Sequence, residues 1–270
     1  MRITKSKNGF TVFSSDIYYS VNIIVVYDSG EAVIFDTGVS ENEFQFVLEY
    51  IEEKEMFLKY IVYSHFHFDH NSCNIFMDNV PVISHEDYLL NFEQAMYNVE
   101  DVIYSYKKQY ISMLPTITFT KKYNIIVGSK CIELIHSPGH TSDSIVAVNY
   151  EDEYIIAGDT VNLIPYIKWG NINQLKLSLR FLLSLDIDEI IMGHFGLGHR
   201  VDILKNLVYL ERIEGFGNNI FYREKNKICI NTEMLQPELF MELCDIPEDE
   251  YIFIRDLHYK NMFKLINKTY

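Results

Sequence analysis

The segment His65-Phe66-His67-Phe68-Asp69-His70 places three imidazoles and a carboxylate within six residues. Burying such groups without purpose costs solvation, and imidazole and carboxylate are the ligands that suit zinc, iron or manganese. The run KYIVYSH, Lys59–His65, reads as a buried strand that feeds straight into this cluster. Leaving a strand, His65 and His67 alternate in the extended manner and share a direction, while Asp69 and His70 turn to address a second point close by. Three more ligand types stand in similar places downstream. His140 lies in HSPGHTSDS, a Pro-Gly turn between strand-like runs; Asp159 follows EYIIA in GDT; His194 follows DEIIM in GHFG. Loops at the ends of strands converge on one rim of a sheet while the strands fix their geometry. Divalent ions held there would lower the pKa of a bound water to about 7 and would polarise a carbonyl or phosphoryl oxygen.

The elements that must position these residues are legible as two batches of strands, each followed by helices. YYSVNIIVVY (Tyr18–Tyr27) and AVIFDTG (Ala32–Gly38) are β-branched runs joined by DSG, a hairpin signal. Residues 41–55 read as a helix. Ser84 with Asp87 three later resembles a capping box, and an aromatic and aliphatic stripe from Tyr88 to Tyr110 at spacings of three and four predicts a long helix, or two in series, around residues 86–112. Four strand-like runs follow (YNIIVG, KCIELIHS, SIVAVNY, EYIIAGD), then a helix near 171–185, the strand DEIIMGH and a helix near 200–213. Such a sequence of elements suggests sheet packed on sheet with helices outside.

Composition narrows the function. With 23 Lys and Arg against 38 Asp and Glu, the formal charge is −15. Affinity for phosphate backbones comes from clustered cations and counterion release, so no nucleic-acid partner is expected. No apolar run approaches a membrane span, and no membrane partner is expected. MRITKSKNGF lacks the apolar core of a secretory signal. Cys73, Cys131, Cys229 and Cys244 form no close pair. Together these point to a reduced, cytoplasmic protein whose partner is a small-molecule substrate, with a homodimer left open. Cys73, His85, His136 and His258 read as ordinary packed or surface residues.

HFHFDH, SPGHTSDS, AGDT and MGHFG, with VIFDTG before them, resemble in order the successive motifs of the metallo-β-lactamase superfamily. The resemblance covers roughly residues 15–205. It implies an α+β fold, a four-layer αββα sandwich with metals at one edge of the sheets. It also implies a domain over 1–214 with a helical insert at about 85–112, and an extension, 215–270, packed on the same domain. Under that resemblance His65, His67 and His140 hold a first metal, Asp69, His70 and His194 a second, and Asp159 bridges them. Asp36 orients ligands from behind. The cofactor implied is two divalent ions, zinc foremost, with iron or manganese also suited.

The activity implied is hydrolysis of a small ester, thioester or lactone through a metal-bound hydroxide, with Asp69 and Asp159 as the catalytic carboxylates. Asp159 resembles the thioesterase and lactonase branches, since the true zinc β-lactamases lack the bridging aspartate. Lactonases of this family often carry Tyr three residues after that Asp, where this chain has Asn162. Hydroxyacylglutathione hydrolases place basic residues in a C-terminal extension, for which Arg223, Lys225 and Lys227 are candidates. A non-haem iron oxygenase or oxidoreductase, or a phosphodiesterase, are the alternatives on the same fold. For the substrate mouth the candidates are Asn162, Tyr166, Lys168, Trp169 and His199. Tyr88, Phe92, Tyr97 and Tyr104 of the aromatic stripe are candidates for a lid.

Overall fold

The computed structural model describes residues 1–7, 9–77, 79–97, 114–217, 221–224, 227–230 and 248–268. The first sheet holds β1 (Arg2–Lys7), β2 (Phe10–Ser14), β3 (Asn22–Asp28), β4 (Glu31–Phe35), β5 (Phe57–Val62), β6 (Val82–His85) and β7 (Ile117–Phe119), side by side in chain order. It is antiparallel as far as β4 and parallel from β4 to β7. The second holds β8 (Lys122–Val127), β9 (Lys130–His136), β10 (Ile145–Asn149), β11 (Tyr154–Gly158), β12 (Glu189–Met192) and β13 (Leu197–His199), again in chain order, with only β11 and β12 parallel. A separate ribbon pairs β14 (Phe221–Glu224) with β15 (Lys227–Ile230).

Side-chain alternation along each strand builds the layers. On β3, Ile24 and Val26 face the space between the sheets, while Ile23 and Val25 face outward. On β10 and β11, Ile145, Ala147, Tyr154 and Ile156 face the other sheet, and Val146, Val148, Ile155 and Ala157 face away from it. Both faces of each central strand are therefore apolar, and helices must cover the outer ones. Helices α1 (Glu41–Glu53), α2 (Phe68–Asn71) and α3 (Tyr88–Tyr97) lie on the side of the first sheet. Helices α4 (Ile172–Ser184), α5 (Arg200–Gly217) and α6 (Glu248–Lys268) cover the second with Leu175, Leu179, Ile203, Leu210, Ile254 and Leu257. The result is the expected four-layer αββα sandwich. No described helix is long and apolar enough to cross a membrane.

Local expectations hold where a short-range signal decides the conformation. The DSG turn joins β3 to β4 with Ser29 and Gly30 both left-handed, as a tight hairpin requires. Helix α1 starts at Ser40, whose side chain accepts from the Glu43 N–H. The capping-box reading of Ser84 is corrected: Ser84 lies inside β6, and its hydroxyl donates to the carbonyl of His85. The strand wins because Ile83, fully buried, belongs to the core between the sheets. The helix of the insert begins at Tyr88 and is described to Tyr97; the expected continuation lies outside the described residues.

The turn before His140 packs backbone against backbone on α4. Ser178 donates to the carbonyl of Pro138 at 2.7 Å, and the Asn171 N–H donates to that of Gly139 at 2.8 Å. Gly139 holds φ +144°, and an added Cβ would stand 2.2 Å from Leu175 Cα. Replacing Gly139 by Ala is therefore expected to destabilise the fold by at least about 1–3 kcal/mol, the cost of the backbone conformation alone. Urea denaturation checks this; an unchanged midpoint would contradict the packing described.

Candidate metal centre

The seven motif residues come from four loops and meet at one edge of the sandwich. The chain leaving β5 does not stay extended as expected: it bends through residues 64–66, is extended again at His67, and α2 then turns Asp69 and His70 toward a neighbouring point. His140 arrives from the loop between β9 and β10, Asp159 from the end of β11 and His194 from the end of β12. Two groups result, each with its ligand atoms within 4.8 Å of one another: His65, His67, His140 and Asp159, and Asp69, His70 and His194. In the first, His65 Nε2 lies 2.9 Å from His67 Nδ1, and His140 Nε2 lies 3.2 and 3.0 Å from these two atoms. Ligands about 2.0–2.1 Å from a tetrahedral ion stand roughly 3.3 Å apart, so the triad has close to the required spacing.

Asp159 stands between the groups. Its Oδ2 is 3.6 Å from both His140 Nε2 and His194 Nε2, and its Oδ1 is 3.5 Å from His70 Nε2. Asp69 Oδ2 lies 3.4 Å from His194 Nε2 and 3.7 Å from His70 Nε2. Gly193 makes this convergence feasible, because a Cβ there would stand 2.1 Å from Asp159 Oδ1 and 3.1 Å from His70 Cε1.

Four of the five imidazoles are oriented from behind. Asp36 accepts from the Ser64 N–H and hydroxyl, each at 2.7 Å, and from His70 Nδ1 at 2.8 Å. The Ser64 hydroxyl in turn lies 2.9 Å from His65 Nδ1. His140 Nδ1 donates to the Tyr166 carbonyl at 2.8 Å, and His194 Nδ1 donates to that of Tyr19 at 2.9 Å. These anchors set the rings so that the Nε2 atoms of His65, His70, His140 and His194 face the cluster. His70 Nε2 and Asp159 Oδ1 are buried with no hydrogen-bond partner among the described residues. Converging imidazole nitrogens and a buried carboxylate oxygen without a partner are what a cation would satisfy. The donor set fits divalent metal ions, and these His and Asp residues are positioned to bind them.

Before any metal enters, the two halves carry different charge. Burial lowers His65 and His140, and lowers His67 to about 3, with neighbouring imidazoles adding to the effect; these three are neutral at pH 7. Burial also opposes charge on His70, yet Asp159, Asp69 and Asp36 outweigh it and push His70 up to about 9. His194 is raised in the same way, with Asp159 and Asp69 outweighing burial. Asp69 falls to about 2, because His70 and His194 overcome its own desolvation.

The remaining candidates divide. Tyr166 and Trp169 join the mouth: the Tyr166 ring is 6.3 Å from that of His67, and the Trp169 ring 6.1 Å from that of Phe66. Lys168 lies over Trp169 at 5.3 Å. Their loop is held from α5 and α6. Asn206 exchanges two hydrogen bonds with the backbone of Asn162, Asn261 bonds the Pro165 carbonyl and the Ile167 N–H, and Lys264 donates to the carbonyls of Ile167, Lys168 and Gly170.

Asn162 is part of that buried clamp: its side chain accepts from the Leu163 N–H, and it is 2% exposed. His199 does not join the site. It pairs with Glu189 at the opposite end of β12 from His194 and meets Asp188 in solvent. Tyr88 does not form a lid either, being fully buried and stacked between Tyr63 and Phe92 in the core under α3. For Tyr97 and Tyr104 the lid expectation lies outside what is described. His85 and His136 stack on each other, and His258 bonds Tyr209. Sequence reasoning passed over Tyr18, Tyr19 and Phe68, and Phe253 buried behind Tyr19 and His194; the tandem tyrosines ahead of β3 and the Phe inside HFHFDH were the available signals.

The family model of the metallo-beta-lactamase superfamily matches residues 18–194. An uncharacterized protein from Aquifex aeolicus is 28% identical over 188 residues, covering 65% of this chain and 85% of that one. Among solved structures, a metallo-beta-lactamase family protein from Thermus thermophilus has a TM-score of 0.67 at 17% identity, covering 96% of this chain and 94% of its own. A metallo-beta-lactamase from Pontibacter korlensis has a TM-score of 0.64 at 18% identity, covering 78% and 98%. At these identities the structures speak for the fold alone. With the family match spanning well over half of its residues and the same two-sheet core beneath it, this chain belongs to the metallo-beta-lactamase superfamily.

Proposed function

We propose that the protein is a dinuclear metal-dependent hydrolase of a small ester, thioester or lactone. The observation that carries the reading is Asp159, buried between two ligand groups with an oxygen turned toward each. Shared carboxylates of this kind hold two cations that would otherwise repel each other. His65, His67 and His140 would hold the first ion and Asp69, His70 and His194 the second. Bound there, divalent ions supply a water that ionises near pH 7 and positive charge for a developing oxyanion.

The chain's own groups do the rest. Asp69 Oδ2 borders the second group and its side chain is partly open to solvent; it would orient the attacking water and take its proton. The Tyr166 carbonyl keeps the His140 proton on Nδ1, away from the reacting centre. Trp169 and Tyr166 would wall the mouth on one side. No serine or cysteine nucleophile is called for.

Asp159→Ala removes a ligand from both groups. It is expected to lower metal content toward one ion or fewer and to reduce turnover by two orders of magnitude or more, roughly what a dedicated charge-stabilising group supplies. His199→Ala, at the far end of the sheet, is the matched control and is expected to change neither. Elemental analysis and a panel of p-nitrophenyl acetate, a thioester, a lactone and bis-p-nitrophenyl phosphate read both. Two metals and near-normal turnover in Asp159→Ala would sink the assignment, and turnover of the phosphodiester alone would replace it.

The charge asymmetry gives a second test. His70, raised to about 9, stabilises the metal-free fold fully below its unfolded value near 6.5 and loses that contribution as pH rises through 9. Chelated protein is therefore expected to lose thermal stability between those limits. Filling the second group must displace protons from His70 and His194, so zinc-loaded protein gains relative stability over the same interval. Parallel melting-temperature profiles without the divergence would contradict the proton count.

A further inference from the structure

The peptide unit between Tyr166 and Ile167 lies between a candidate ligand and the C-terminal helix. Its carbonyl accepts from His140 Nδ1 at 2.8 Å, and its N–H donates to Asn261 Oδ1 at 3.0 Å. In a trans peptide these two groups point in opposite directions within one plane. His140 on one side and Asn261 on the other therefore hold the same plane. Asn261 is fully buried on α6, and its amide nitrogen uses both protons: it donates to the Pro165 carbonyl at 2.6 Å and to the Tyr209 hydroxyl of α5 at 3.1 Å. Tyr209, itself buried, meets Nδ1 of the fully buried His258 at 2.8 Å.

Chemistry forces the direction of every bond. A peptide N–H only donates, so Asn261 presents its oxygen to Ile167 and its nitrogen to Tyr209. Having accepted from Asn261, the phenol turns its own proton toward His258 Nδ1. Burial holds that phenol above the ordinary tyrosine range, so it stays a donor. From His140 through the Tyr166–Ile167 unit, Asn261 and Tyr209 to His258, four bonds run donor to acceptor in one direction. Bonds aligned in this way polarise one another. A stronger pull on the His140 Nδ1 proton makes Nε2 the more basic ligand. Tyr209, His258 and Asn261 all lie outside the span of the family match. His194, in the second group, rests instead on the Tyr19 carbonyl of another loop.

Resting on the metal-binding half of the hydrolase reading, we propose that Asn261 is a positioning residue for the first ion, acting with Tyr209 and His258 through the Tyr166–Ile167 peptide unit on His140. The chain of bonds keeps the His140 proton on Nδ1, aims Nε2 at the cluster and raises its basicity. The C-terminal helix thereby sets how tightly His65, His67 and His140 hold their ion without touching it. The second group, anchored by Asp36 and the Tyr19 carbonyl, is independent of this chain.

The test measures zinc affinity by competition with a chromophoric chelator in two backgrounds: His194→Ala, which keeps the first group whole, and His67→Ala, which keeps the second. Adding Asn261→Ala is expected to weaken zinc roughly tenfold to a hundredfold in the first background, the scale of a lost outer partner of a ligand, and to leave the second unchanged. Tyr209→Phe, which deletes one oxygen, is expected to fall between wild type and Asn261→Ala in the first background. Leu257→Ala, one turn away on the same face of α6, is the control for plain destabilisation; it is expected to lower the urea midpoint and leave zinc affinity alone. In metal-free protein labelled with ¹⁵N-histidine, the His140 Nδ1 proton, assigned by its loss in His140→Ala, is expected to move upfield in Asn261→Ala while that of His194 stays. Equal losses of zinc in the two backgrounds, a loss in Leu257→Ala matching that in Asn261→Ala, or an unmoved His140 proton overturns the proposal, the hydrolase reading standing as long as wild type holds two ions. Should Asn261→Ala not fold, Tyr209→Phe decides alone, and unchanged zinc affinity in the first background overturns the proposal. Wild type that binds no zinc overturns the metal-binding reading and this proposal together.

Discussion

A buried carboxylate at the end of β4 takes three hydrogen bonds that together join three pieces of chain. Asp36 receives the backbone N–H and hydroxyl of Ser64, which fixes where β5 ends and where the HFHFDH turn begins. The same carboxylate receives Nδ1 of His70, beyond His65 and His67. It does so from φ +60°, a strained position for aspartate that the surrounding sheet must enforce. Through Ser64 the effect reaches His65 Nδ1, so one anion governs the aim of an imidazole in each half of the centre. Without it, the geometry of the turn would depend on Asp69, His70 and their neighbours repelling and attracting one another unaided.

The other loops are held by a different device, backbone carbonyls. Tyr166 and Tyr19 each lend a carbonyl to an imidazole, and both belong to loops that also present aromatic rings to the mouth. Orientation of the candidate ligands and the shape of the entrance are consequently coupled: a loop cannot move its aromatic ring far without disturbing a histidine. The first sheet supplies Tyr19 and the second supplies His194, and Asn22 N–H to Gly193 O at 2.8 Å seals the same seam. The centre therefore lies on the line where the two sheets meet at one edge, and its integrity reports on their packing.

Most strands were readable because alternation and β-branching are local signals that burial on both faces reinforces. The candidate ligands were readable because their types and their places after strands carry the chemistry directly. β6 and β7 were not, at four and three residues long, with an aromatic helical stripe beginning beside β6. The same limit explains His199 and Tyr88. Proximity along the chain to His194, or a place on a helical stripe, says nothing about which way a side chain points, and in both cases the sheet pairing and core contacts decide. Asn162 was mistaken for a substrate residue because a polar residue near Asp159 has two uses, and its bonds to Asn206 show the structural one.

The clamp on the loop after Asp159 has a consequence for biosynthesis. All seven candidate ligands precede residue 195, and so does the whole span of the family match. Yet the Ile167 N–H is satisfied by Asn261, 94 residues further along the chain. A nascent chain emerging from the ribosome therefore exposes every candidate ligand, with the family core nearly complete, well before α6 can dock. During that interval the loop that orients His140 and walls the entrance lacks its clamp from α6, so a metal captured early would enter a pocket whose floor is finished and whose doorway is still open.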